Sequence, residues 1–301
     1  MPDGRVDPLL PGDAGFALPA LDPASLERRA DADVEALMKA WLVEPTTGPP
    51  AMALAALPDR DYAARLANGT LGLAVVDSLS ALVGTVLPWA PTIDGSVDAL
   101  LAVAPDGIAV LETGLDCAPA EAGAFESVTG VSVTVAPDAE LKRWSVHPDI
   151  AFAARAAARL CCACALVGVA EASLRDAIAY GSTRIVFGQP VLGHQANAFE
   201  LAACATGVDA ARQALARAVR RDGPAPFGWA ASQAYLQARE SALAATDLGV
   251  QLHGGHGYLQ GRPTERFFRE VRMLSLLWGG ADAALDDLTD RALDAPEWTW
   301  P

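Results

Sequence analysis

From His147-Pro148 onward, apolar residues recur at helical spacing through four long segments, 149–180, 195–221, 226–252 and 264–291. Ala, Leu and Val line many of their faces, while Arg and Asp occupy much of the remainder. Helices of this length with such faces bury them against one another, as in the antiparallel helices of a bundle. The breaks fall where loops are needed, at Gly223-Pro224-Ala225-Pro226 and between Gly254 and Pro263. Half of the chain is therefore committed to a C-terminal four-helix bundle.

The front half reads differently. Short apolar runs, Leu71-Gly-Leu-Ala-Val-Val76, Ala99-Leu-Leu-Ala-Val103, Gly107-Ile-Ala-Val-Leu111 and Val131-Ser-Val-Thr-Val135, sit between Pro, Asp and Gly punctuation. That pattern predicts strands and turns, and Asp106-Gly107 between two runs predicts a hairpin. Residues 1–24, rich in Pro, Gly and Asp without periodicity, read as an extended arm. Ser25 can cap a helix carrying Leu26, Val34, Leu37, Met38 and Trp41, and a second helix is expected over 59–67. The fold class is mainly α with a small middle β domain. It divides into an N-terminal arm and reduced helical domain over 1–68, a β domain over 69–147 and the bundle over 148–301.

With 52% hydrophobic residues among 301, the chain can bury a substantial core. A net charge of −15, from 22 Lys+Arg against 37 Asp+Glu, argues against nucleic-acid binding, which needs a basic surface. Met1 to Ala20 has no apolar run after a basic start, so no secretory signal is read and a cytoplasmic location is expected. The most apolar stretch, Leu160 to Ala170, follows Arg155 and Arg159 and is too short to span a bilayer, so no membrane segment is expected. Cys161, Cys162 and Cys164 share one helical turn and match neither a disulfide framework nor a zinc spacing; they read as small packing residues. His253 and His256 flank glycines without partnering ligands, and no metal is expected there.

Two motifs carry the chemistry. The first is Arg184-x-x-Phe187-Gly188-Gln189-Pro190 followed by Gln195; the second is Gln251-Leu-His-Gly254-Gly255-His-Gly257-Tyr258. An Arg at a helix end can clamp a pyrophosphate, and Gly188 lets its loop approach a ligand closely. Gln251 leads into the Gly254-Gly255 loop, which a ligand can also approach. Alone, an Arg at a helix end is usually a solvated charge and a Gly pair usually a turn. In this order, on adjacent helices, they read as half of a flavin-binding site.

These stretches, with Tyr180 before Arg184 and with Glu265-Arg-Phe-Phe-Arg-Glu-Val-Arg272, resemble the acyl-CoA dehydrogenase family over roughly residues 65–292. The resemblance implies an N-terminal helical domain, a middle β domain, a C-terminal four-helix bundle and FAD lying across a subunit interface. It implies that Arg184, Phe187, Gln195, Gln251, Gly254 and Gly255 reach the nucleotide end of a flavin whose reactive ring belongs mainly to the neighbouring subunit. The family's reaction needs a carboxylate to remove the proton beside the thioester carbonyl. At the two positions where members carry that Glu, this chain has Trp278 and Ala158, so no catalytic base is expected. Gly280 and Asp282 stand where members carry a Thr and a Gln that hold their own flavin. The ring-packing segments of the β domain are replaced by Leu73-Ala-Val-Val-Asp-Ser78 and a shortened passage to Trp89.

The losses all serve a subunit's own flavin ring and substrate, while the retained residues serve a neighbour's cofactor. The leading expectation is a non-catalytic subunit of a heteromeric acyl-CoA dehydrogenase. It completes the nucleotide half of the FAD site in a full-length catalytic partner, two copies of each chain, with the acyl-CoA bound in the partner. By analogy the resemblance implies bulky, steroid-type acyl groups. Two alternatives stay open: a homo-oligomeric flavoprotein using another base, with Asp282 and Glu200 as available carboxylates, and a structural relative that binds no flavin. Trp298 and Trp300 read as a tail that anchors on a partner or is loosely held.

Overall fold

In the computed structural model, the described residues are 71–91, 97–120, 130–144, 146–220 and 227–294. The expected arm, the helices from Ser25 and over 59–67, the 223–226 break and the Trp298/Trp300 tail lie outside them.

The four apolar runs of the front half are strands. β1 (Leu71–Val75), β3 (Ala99–Ala104) and β4 (Gly107–Leu111) join β7 (Leu141–Trp144) in a four-stranded sheet ordered β1-β3-β4-β7. β1 pairs β3 in parallel; the other pairings are antiparallel, with Ala104 opposite Gly107 at the expected hairpin. A second sheet, ordered β2-β6-β5, contains β2 (Val86–Pro91), β5 (Leu115–Pro119) and β6 (Gly130–Val135). β3 and β4 are buried at every residue because they are covered on both faces. Leu100, Ala102 and Ala104 pack toward the second sheet with Val131, Val133 and Val135. Leu101, Val103, Ile108 and Val110 instead join the helical core. Burial on both sides is why these strands read as unbroken apolar runs rather than alternations.

Sequence reasoning missed β2, β5 and β7. All three are edge strands. β2 and β5 each contain prolines and β7 carries Lys142 and Arg143. Edges tolerate such residues, and unpaired strand edges favour them.

The bundle begins with α1 (Pro148–Thr183), whose start is set by Pro148 and by the His147 ring nitrogen Nδ1, which accepts from the Asp149 N–H at 3.3 Å. α2 (Gln195–Arg220), α3 (Phe227–His253), α4 (Pro263–Leu274) and α5 (Gly280–Asp294) follow. α1 lies against α2, α3 and α4 on one side and against β3 and β4 on the other. Its described residues over 151–170 are therefore buried all round, whereas its last turns carry exposed residues such as Ile178. By length and composition, Ala151–Thr183 is apolar enough to cross a membrane, a longer stretch than the sequence reading allowed, but its most apolar window lies wholly inside the fold. Arg155 and Arg159, which interrupt the apolar run, are themselves buried within this helix.

The expected helix over 264–291 is two helices. α4 stops at Leu274, and the chain turns through Trp278 (φ 54°, ψ 42°), Gly279 (φ 85°) and Gly280 (φ 61°), the last of which opens α5. Three consecutive positive φ angles cannot continue a right-handed helix, and the two glycines make the turn accessible.

Helix packing is tight where α3 crosses α1. A Cβ at Gly228 would fall inside contact distance of the Phe152 ring. Gly228→Ala is expected to cost about 1–3 kcal/mol in unfolding free energy by overpacking, measurable as a lower denaturant midpoint.

Candidate functional site

Arg184 closes α1. Its backbone N–H donates to the Tyr180 carbonyl at 2.9 Å, and its own carbonyl accepts from the Val191 N–H at 2.8 Å. Between those bonds the chain makes a two-residue hairpin, β8 (Ile185–Val186) and β9 (Gln189–Pro190), with Phe187 and Gly188 at its tip. Both tip residues have positive φ, 51° and 85°. This is the turn geometry that suits a two-residue hairpin, and it is unusual for a phenylalanine. Phe187 is 96% exposed. A fully presented aromatic ring on a strained backbone gains little from its own chain.

The second motif faces this hairpin. Gln251 lies in the last turn of α3, which ends at His253 and passes into a 3-10 turn over Gly254–His256. No heavy atom lies within 4 Å of a Cβ built at Gly188 or Gly254, so both loop backbones are open to a ligand. Gly257 is closely packed instead: a Cβ there would sit 2.6 Å from the Val250 carbonyl oxygen. Gly257→Ala is expected to displace the 254–257 loop and cost about 1–3 kcal/mol, detectable as a thermal shift and as loss of ligand retention at this site.

Beneath the loop, the Tyr180 and His253 rings stack with centroids 4.3 Å apart. The Tyr180 hydroxyl is 3.2 Å from His256 Nδ1. His253 Nδ1 donates to the Gly249 carbonyl at 2.8 Å. Its Nε2 is 3.3 Å from Asp176 Oδ2, which also accepts from the Thr264 hydroxyl at 2.7 Å. This brace ties α1, α3 and the start of α4 together under the loop.

Hairpin and loop line an open cavity of about 660 Å³. Of the residues expected at a site, Arg184, Phe187, Gln251, Gly254 and Gly255 line it together, although the two motifs are about 60 residues apart. Gln195 does not line it; it is the exposed first residue of α2, beside the wall residue His194. Tyr180, His194, Asn197, His253 and His256 also form the wall. Sequence reasoning gave these no binding role, although all lie within or beside the two motifs. The cavity offers a guanidinium, a carboxamide, an aromatic ring and open glycine backbone. Among the described residues no carboxylate pairs with Arg184. Such a set suits a phosphate attached to a flat heteroaromatic group, as at the nucleotide end of FAD.

A smaller cleft, about 190 Å³, lies where β1, α1 and α5 meet around Trp278. Trp278 is buried at 7% exposure, and Ala158 is buried in the helical core. Arg155 Nε donates to Asp287 Oδ2 at 3.1 Å, and its Nη2 donates to Asp287 Oδ1. Arg159 Nη1 donates to Asp287 Oδ2 at 2.6 Å and its Nε to the Trp278 carbonyl at 3.4 Å. Both carboxylate oxygens of Asp287 are thus engaged by guanidinium groups. Asp282 and Glu200 are exposed and line neither cavity. Asp287, the buried carboxylate, was not singled out from sequence. Around this clamp, burial pushes the Cys162 thiol and the Tyr235 phenol above their ordinary ranges, against an opposing pull from Arg159. Trp278 and the Arg155–Asp287–Arg159 clamp line this cleft. Among the described residues, no group of three or more His, Cys, Asp or Glu is placed to hold a metal ion.

A two-sheet β unit packed on a long-helix bundle, with the cavity at the ends of α1 and α3, defines an acyl-CoA dehydrogenase-like fold. Residues 150–293 match the family model "Acyl-CoA dehydrogenase, C-terminal domain". Probable acyl-CoA dehydrogenase YngJ of Bacillus subtilis (strain 168) is 37% identical over 119 residues, 39% of this chain and 31% of that protein. The matched region thus spans about a third of that curated relative. Among solved structures, butyryl-CoA dehydrogenase from Megasphaera elsdenii aligns at TM-score 0.70 and 18% identity, covering 90% of this chain and 81% of its own. A chain of the Tcur3481-Tcur3483 steroid ACAD aligns at TM-score 0.66 and 22% identity, covering 91% and 89%. At these identities the structural likeness speaks for fold alone.

Proposed function

We propose that this chain is a non-catalytic subunit of a heteromeric FAD-dependent acyl-CoA dehydrogenase. Its 660 Å³ cavity closes over the nucleotide half of FAD, while the ring and the acyl-CoA lie in a full-length catalytic partner. The observation that carries this reading is the asymmetry between the two cavities. One, about 660 Å³, presents Arg184, Phe187 and Gln251 outward; the other, about 190 Å³, is narrowed by Trp278 and the Arg155–Asp287–Arg159 clamp on its wall. Arg184 would hold a phosphate, Phe187 would pack on a flat face of the nucleotide, and Gly254-Gly255 would admit its backbone contacts. The flavin supplies hydride acceptance when bound; this chain's residues only bind and orient it. Two copies of each chain make the natural closed assembly. A steroid-type acyl group is the proposed substrate class, in line with the two-part name of the steroid ACAD neighbour.

The test is expression of the chain alone and together with a full-length family member encoded beside it. The pair is expected to retain FAD and oxidise acyl-CoA, and the lone chain to do neither. A lone chain that purifies with stoichiometric FAD and turns over acyl-CoA would overturn the proposal. Flavin-free material in every co-expressed preparation would favour the structural-relative alternative. The carboxylates considered for a homo-oligomeric enzyme, Asp282 and Glu200, are exposed and outside both cavities.

Phe187 gives a test with effects of opposite sign. A left-handed backbone costs an ordinary side chain about 1–2 kcal/mol, whereas Asn adopts it readily. Phe187→Asn is therefore expected to leave the melting temperature unchanged or raise it, and at the same time to weaken FAD retention by the complex. A variant that loses both together would show the ring to be a packing residue.

A further inference from the structure

The hairpin that presents Phe187 has no hydrophobic support at its tip, so something else must hold its shape. His194, between the 3-10 turn Val191–Gly193 and α2, reaches back across both legs. Its Nε2 is 3.0 Å from the Val186 carbonyl oxygen on β8. Its Nδ1 is 2.9 Å from the Gln189 amide nitrogen on β9. A carbonyl only accepts, so Nε2 carries the hydrogen; Nδ1 is then free to accept from the Gln189 amide. The imidazole also meets the Phe187 ring edge-on, with centroids 6.5 Å apart and an interplanar angle of 85°. Three residues on, Asn197 Nδ2 donates to the Val191 carbonyl at 2.9 Å and fixes the return of the chain into α2.

We infer that His194 is a positioning residue that staples the two legs of the 185–190 hairpin and so sets where Phe187 and Arg184 meet the nucleotide. This rests on the nucleotide-site reading proposed above. Phe187 is held in the left-handed region yet 96% exposed, so its placement depends on the hairpin's own hydrogen bonds and on the staple. A group that satisfies an acceptor on one leg and a donor on the other fixes their separation, and a loop fixed before binding loses less entropy on binding.

Side-chain replacements can remove the two bonds separately. Asn places its oxygen near the position of Nδ1, Gln places its amide nitrogen near that of Nε2, and Phe keeps the ring and loses both. In the co-expressed complex, His194→Phe is expected to weaken FAD binding roughly tenfold, from two hydrogen bonds of ordinary strength, with the Asn and Gln variants in between. Amide hydrogen exchange over 185–191 should accelerate in the same order, while exchange in the core of α1 and α3 stays unchanged. At saturating FAD, kcat should return, since the change lies in placement of the cofactor.

The control is Arg184→Ala. If it weakens FAD binding while His194→Phe does not, the staple is wrong and the nucleotide site stands. If neither weakens it, the nucleotide-site reading itself fails. If all three His194 variants lose FAD equally and α1 and α3 also exchange faster, His194 is a general stability residue and the positioning role is overturned. Should the Phe variant not fold, the ordering of the Asn and Gln variants against the unaltered chain decides in the same way.

Discussion

Arg184→Ala, introduced into the assembled complex, is expected to weaken FAD retention by about 10- to 100-fold, the range of a lost charge-assisted hydrogen bond. The side chain leaves the end of α1 without a carboxylate partner among the described residues, on the wall of a cavity it shares with Gln251 and Gly254. Its removal should leave the fold intact, because the backbone bonds of Arg184 to Tyr180 and Val191 do not depend on the guanidinium. The loss is best read as flavin released on dialysis. It should shrink at high salt, where the charged contact is screened in the unaltered complex too. Arg184→Lys keeps the charge and loses the planar fork, and should fall between the two. Unchanged flavin content in Arg184→Ala would remove the central cation from the proposed site.

The largest expected effect on stability is at Asp287. Substitution by Ala leaves Arg155 and Arg159 buried at 6% and 1% exposure without a counter-charge. Breaking a buried ion pair in this manner costs about 3–5 kcal/mol. For a chain of this size that corresponds to a melting temperature lower by roughly 6–20 °C. The bonds engage both carboxylate oxygens and join α1 to α5 across more than 120 residues of chain. Replacing Arg155 and Arg159 by Met together with Asp287→Leu should recover much of the loss, since apolar groups of similar volume often match a buried ion cluster. If Asp287→Ala unfolds at the same temperature as the unaltered chain, the clamp contributes nothing and the narrowed cleft needs another explanation.

The clamp also shows what local pattern reading could not reach. Arg155 and Arg159 look like ordinary polar positions of a bundle helix, and Asp287 looks like one of several acids on α5. Their meeting depends on how α5 is redirected after Trp278, and that redirection is itself a break in a segment whose apolar spacing reads as one helix. By contrast, β3 and β4 were legible, because strands covered on both faces leave continuous apolar runs. Their edge neighbours β2, β5 and β7 were not, because edges carry the prolines and charges that also mark loops.

The candidate site divides similarly. Arg184, Phe187, Gln251, Gly254 and Gly255 stand out by type and spacing, and they meet in one cavity. Gln195 belongs to the same pattern yet lies outside the wall, although its neighbours His194 and Asn197 are on it. The roles of His194, His253 and Tyr180 come from bonds to Val186, Gln189, Gly249 and His256, which follow from the hairpin and the stacking of α1 on α3.

Residue order alone determined a long-helix bundle behind a small β unit, because helical and strand periodicities are local and each face must be buried. It also determined which side chains were available to grip a nucleotide and that no Glu stands at positions 158 or 278. Only the tertiary structure decided that two distant motifs share a cavity, that Trp278 and two arginines line a second cleft, and that Phe187 is left facing outward. Those outcomes depend on contacts between segments far apart in the chain, and such contacts leave no periodic trace in the segments that make them.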